Sequence, residues 1–135
     1  MMLNFYTDRF VPEGAGGCAR GPLIFIREKY RNDRGILEHE RAHRKQWFVQ
    51  TVVWAALLAA AAWCFAIPYE IAIVSIGAHG GLYLVVRRYR LWAEVAAYRE
   101  QMKWGNLAPE SAARRLAKPC YRLGITAEQA MKYFE

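Results

Sequence analysis

The sequence predicts a mainly α-helical chain with a small β-ribbon, organised around one long antiparallel helical hairpin. Three observations lead there. Trp47 to Tyr69 runs for 23 residues without a formal charge, and Ile71 to Val86 for another 16. Such lengths approach the roughly 20 helical residues that cross a bilayer's hydrocarbon core. Pro68-Tyr69-Glu70 offers a tight connection between the two runs. Short runs of strand-forming residues, Leu3 to Tyr6 and Leu23 to Ile26, fall within the first 30 positions, separated by a turn-rich stretch. With 135 residues and 55% apolar content, the chain has room for one ordinary domain, not two.

Residues 1–30 read as the ribbon. Leu3 to Tyr6 and Leu23 to Ile26 are its two strands, and Pro12, Gly14, Gly16, Gly17, Gly21 and Pro22 make the stretch between them rich in turns. Polar residues from Tyr30 to Gly35 then lead into a helix over 34–67, with Asn32 or Asp33 as its cap. The second arm covers 70–104, and Gly105 stops it. In the tail, 106–135, Asn106 or Ser111 can start a helix that Pro119 ends. Thr126 with Gln129 three residues on forms a capping box for a last helix reaching Phe134.

Nineteen Lys and Arg against twelve Asp and Glu give a net charge of +7, which suits an anionic surface. The basic residues Arg41, Arg44, Lys45, Arg87, Arg88 and Arg90 crowd on either side of the apolar runs. That placement points to lipid headgroups, with the charged end on the cytoplasmic side of the inner membrane. A nucleic-acid partner is not expected, because no helix-turn-helix, RNA-binding aromatic signature or glycine-rich phosphate loop is present. A soluble alternative would bury the same arms against the tail helices and the ribbon. Cys18, Cys64 and Cys120 are widely spaced and form no CxxC pair, and the N-terminus lacks the pattern of a cleaved signal.

The segment His39-Glu40-Arg41-Ala42-His43 carries the chemistry. On a helix, residues four apart share a face, so both imidazoles can reach one Zn2+ ion. With a third protein ligand, such an ion keeps one position for water and lowers that water's pKa toward neutrality. Glu40 would take the water's proton and pass it to a leaving amine. The pattern fixes only three positions, so roughly one chain in a few hundred of this length matches by chance. The third ligand supplies the needed context. If the arms turn at Pro68-Tyr69, positions equally far from the turn face each other, and His43 faces Glu94. By the same rule His79 faces Leu58, roughly 22 Å from the site, and Glu100 lies roughly 9 Å beyond it. Gly77, Gly80 and Gly81 face Ala60, Leu57 and Ala56, which predicts close packing of small residues at mid-arm. His79 then reads as a hydrogen-bonded interhelical residue.

Ile24 to Asp33, the segment Leu37 to His43, and the later Glu94-Val95-Ala96-Ala97-Tyr98 together resemble small gluzincin-like HExxH metallopeptidases of bacterial and phage genomes. The likeness covers residues 22 to 100. It implies a single zincin-like domain over 1–135, His39, His43 and Glu94 as zinc ligands, and Glu40 as general base. It also implies that Leu23 to Ile26 lines the cleft and pairs with an extended polypeptide substrate. Tyr98, one turn beyond Glu94, could hydrogen-bond a ligand or the developing oxyanion, and Glu38 is a candidate second-layer partner. The other class of role is non-enzymatic: a phage or prophage membrane or virion component whose metal site is structural or degenerate.

Overall fold

A computed structural model describes residues 3–105 and 107–135. The chain is mainly helical with a three-stranded sheet, as the sequence leads one to expect. The sheet comprises β1 (Asn4–Tyr6), β2 (Gly17–Arg20) and β3 (Leu23–Ile26), in the order β1-β3-β2. The expected two-stranded ribbon thus gains a strand from within the turn-rich stretch. Its two anticipated strands pair parallel rather than as a hairpin, with Asn4 opposite Ile24 and Tyr6 opposite Ile26. The hairpin is instead β2 with β3, where Arg20 faces Leu23 across a two-residue turn. Gly21 adopts φ 60° in that turn, a conformation open to glycine at no steric cost.

Alternation along β3 turns Ile24 and Ile26 inward, where they pack on Ile36 of the first helix. That helix, α1 (Arg34–Phe65), is 32 residues long. Asp33 caps it, its carboxylate accepting from the Ile36 N–H at 3.0 Å. The helix ends at Ala66, held left-handed at φ 52°. A 3-10 stretch (Tyr69–Val74) leads into α2 (Ser75–Val85), and α3 (Arg87–Trp104) follows after a break at Val86.

This break changes the expected second arm. The segment Tyr69–Val85 and α3 meet at 99°. No proline or glycine causes the bend. Arg90 instead caps α2 from outside, donating to the Tyr83 and Leu84 carbonyls at 2.7 and 2.6 Å. Carbonyls that would have continued the helix are satisfied by a guanidinium, and the chain turns aside. Facing positions in the second arm therefore shift. Trp47 donates its indole N–H to the Ile76 carbonyl, and a Cβ built on Gly77, Gly80 or Gly81 meets nothing within 4 Å. The mid-arm glycine packing expected from the sequence does not occur.

Farther along, α3 runs back beside α1. Gly35 and Gly105 touch backbone to backbone, and a Cβ on Gly35 would come within 3.1 Å of the Gly105 Cα. Helices α4 (Pro109–Leu116) and α5 (Ala127–Met131) pack on α3 around Val95, Tyr98, Leu116 and Leu123. Pro109 rather than Ser111 opens α4, from Ala108 as its cap, and Asn106 lies outside the described residues. The Thr126–Gln129 capping box is present in both directions.

Candidate metal centre

The site lies between two small cores, one under the sheet and one under the tail helices. Its first two residues follow from helix geometry alone. His39 and His43, one turn apart on α1, bring their Nε2 atoms within 3.2 Å. Glu94 enters from α3, its Oε1 3.4 Å from His43 Nε2 and its Oε2 3.7 Å from His39 Nε2. Among the described residues these three form the cluster able to hold a metal ion, with all ligand atoms within 4.8 Å of one another.

The donor set fits such an ion. Zinc bonded at about 2.0–2.1 Å in a tetrahedron has its ligand atoms roughly 3.3 Å apart, close to the three separations above. Glu94 Oε2 is buried without a hydrogen-bond partner, a costly state for a carboxylate oxygen unless a cation meets it.

Gln46 fixes the tautomer of one ligand. Its amide N–H donates to the Ala93 carbonyl at 3.0 Å, so its Oε1 is the atom facing His43 Nδ1, also at 3.0 Å. Nδ1 must then carry the proton, which leaves the Nε2 lone pair free for a metal. Tyr83, in the last turn of α2, donates its hydroxyl to Glu94 Oε1. Neither Gln46 nor Tyr83 was singled out by the sequence. Gln46 could have been found as the residue one turn beyond His43; nothing in the local sequence marks Tyr83, because the break at Val86 is what brings it here.

Electrostatics separates the two imidazoles. Burial disfavours a cation at His39, and His43 repels a second one, which holds His39 down at about 3. At His43 burial acts the same way, but the Glu94 carboxylate and its hydrogen bond outweigh it and raise the pKa. Burial likewise opposes the Glu94 charge, and His43 more than compensates, holding that carboxyl below its usual range.

Glu40 is only 5% exposed and lies against β2 rather than in the ligand cluster. A Cβ on Gly17 would come within 3.0 Å of its Cγ and 3.1 Å of its Oε1. It accepts a hydrogen bond from the Ala19 backbone. Burial, with the neighbouring Glu94 charge adding and His43 opposing, pushes its pKa up to about 7. A carboxyl so placed exchanges protons readily near neutrality.

Other sequence expectations meet mixed outcomes. Tyr98 packs its ring edge-on against His39, with centroids 4.6 Å apart, while its hydroxyl shares a 2.5 Å hydrogen bond with Tyr121. That geometry supports His39 sterically and takes the hydroxyl away from Glu94 and from any oxyanion. Glu38 pairs with Arg41 at 2.5 Å and does not reach the imidazoles. His79 is no ligand, but it is also not remote: its Nδ1 lies 2.6 Å from the Tyr89 hydroxyl and its ring centroid 6.2 Å from that of Tyr83. Finally, β3 is the central strand, paired on both sides, and cannot add a substrate strand. The edge beside Glu40 belongs to β2.

Comparison with family models, with curated proteins and with solved structures finds no match.

Proposed function

We propose that the chain is a zinc-dependent metallopeptidase of the gluzincin-like kind, with His39, His43 and Glu94 as ligands and Glu40 as general base. The observation that carries this reading is the buried Glu94 carboxylate set against two imidazole nitrogens 3.2 Å apart, its Oε1 toward His43 and its Oε2, which has no hydrogen-bond partner, toward His39. When bound, the metal would polarise a peptide carbonyl and acidify a water. Glu40 would supply the proton transfers, its carboxylate taking a proton from the attacking water and giving it to the departing amine. The outer edge of β2, which pairs with no other strand among the described residues, lies over Glu40, and backbone addition there would hold an extended polypeptide in place. The apolar arms would anchor the protein in the inner membrane with this end on the cytoplasmic face, where Arg44, Lys45, Arg87 and Arg88 lie.

One observation favours a second reading. Glu40, His39 and Glu94 are 5%, 8% and 3% exposed, and β2 closes over the glutamate. A site so covered suits a metal that staples the fold of a non-enzymatic membrane or virion component. Glu40→Gln separates the two. For the peptidase, the variant keeps one zinc per chain by elemental analysis and loses cleavage of a broad peptide library that the native chain cuts. If the native chain binds zinc and cuts nothing, the peptidase is refuted and the staple stands.

A further inference from the structure

The polar seat and the apolar back of the second arm point in opposite directions. On one side, α2 is attached to the metal centre and its helix: Tyr83 donates to Glu94, His79 meets Tyr89, and Arg90 holds the carbonyls of Tyr83 and Leu84. On the other, large apolar side chains face outward uncovered: Ile73 is 70%, Leu84 71% and Val85 82% exposed. The same holds across the gap on α1, where Trp63 is 90% exposed and only 6% of the helix's most apolar 18-residue window is buried. Among the described residues, neither the tail nor the sheet covers these surfaces.

The dimensions name the occupant. From Trp47 to Phe65, α1 rises about 28 Å, and Tyr69–Val85 rises about the same, its 3-10 part at 2.0 Å per residue. Both match a hydrocarbon core of about 30 Å. The exposed Lys45, Arg87 and Arg88 stand at the end that carries the metal cluster, where anionic headgroups would lie.

We infer that these faces sit in a bilayer whose headgroups at the cluster end are anionic, and that this seating holds Tyr83 on Glu94, making metal affinity depend on the membrane. The inference rests on the metal reading above. It adds regulation: a chain not yet inserted leaves α2 without its outer support, Glu94 loses its donor, and the centre binds metal weakly. Hydrogen bonds to a ligating carboxylate set its orientation, and their loss weakens metal binding by about 10–100-fold. A metallopeptidase wired in this way stays inactive until it reaches the membrane.

The test uses the full chain in vesicles of phosphatidylcholine and phosphatidylglycerol, with zinc affinity read by competition with a chromophoric chelator. The native chain floats with these vesicles and binds one zinc. Tyr83→Phe floats equally and binds zinc about 10–100-fold more weakly. Ile73→Arg, ten residues from Tyr83 and touching no ligand, places a charge on the lipid-facing side. It weakens zinc binding at least tenfold in vesicles, while Ile73→Leu retains native affinity. A native chain that floats but binds no zinc overturns the metal reading itself. One that binds zinc without floating overturns the bilayer as occupant. If it does both and Tyr83→Phe and Ile73→Arg stay within twofold of it, the coupling is overturned.

Discussion

Replacing Gln46 tests the metal centre without touching a ligand. The side chain is 8% exposed and makes two hydrogen bonds of 3.0 Å, to His43 Nδ1 and from its amide to the Ala93 carbonyl. Gln46→Leu preserves the volume and removes both. Leaving each of the two buried partners unpaired costs about 1–2 kcal/mol, at the lower end of the usual desolvation penalty. A loss of about 2–4 kcal/mol follows, lowering the melting temperature by roughly 10 °C. The Nδ1 proton of His43 then loses its acceptor, the imidazole is free to rotate or change tautomer, and zinc affinity falls about 10–100-fold. Gln46→Glu divides the two effects. Its carboxylate still accepts from Nδ1–H and makes the imidazole a better donor, whereas the bond to the Ala93 carbonyl is lost. Zinc affinity is thus kept or improved while the metal-free chain melts earlier. Competition with a chromophoric chelator and a thermal melt with and without zinc measure both. Gln46→Leu binding zinc within twofold of the native chain would refute the assignment of the His43 tautomer, and with it the orientation of the cage.

Zinc binding should tighten as pH rises. The pKa of His43 is raised in the metal-free fold by Glu94, so its proton must leave before Nε2 can bind, and each pH unit between 6 and 8 gains about tenfold in affinity; a flat profile would show that His43 is already neutral. Gly17→Val crowds Glu40 Cγ, Glu40 Oε1 and the Phe25 carbonyl. It should cost about 1–3 kcal/mol and depress cleavage, with zinc stoichiometry unchanged by elemental analysis. Asp33→Ala removes the cap on Ile36 N–H and should lower stability by about 1 kcal/mol in a denaturant titration, without altering the metal.

Local rules made part of this molecule legible. The His39–His43 pair needs only a helix, and the caps at Asp33 and Thr126 need only side chains that satisfy nearby N–H groups. Glu94 was found through a hairpin rule that holds for α3 and fails for α2. It succeeds because α3 runs back along α1 from Gln46–Ala93 to Gly35–Gly105. The rule gave the wrong place for His79 and for the three glycines because the chain turns aside at Val86, and the cause, Arg90 capping carbonyls six and seven residues earlier, is a tertiary contact. Strand β2 was hidden for a different reason. Its residues Gly-Cys-Ala-Arg carry little strand preference, and pairing with β3 together with the seat over Glu40 decides their conformation. Tyr83 belongs to neither group: its role exists only because two segments eleven residues apart arrive at one carboxylate.

The unbroken length of α1 has a mechanical consequence. Its imidazoles and its last residue, Phe65, belong to a single rod without proline, so whatever grips the far end works a lever. With an arm of roughly 35 Å, a tilt of about 10° carries the imidazoles through roughly 6 Å. Glu94 travels with them because α3 is clamped to the same rod at Gln46 and Gly35. The cage is therefore carried intact, and what changes is where it stands over the plane in which the rod is held.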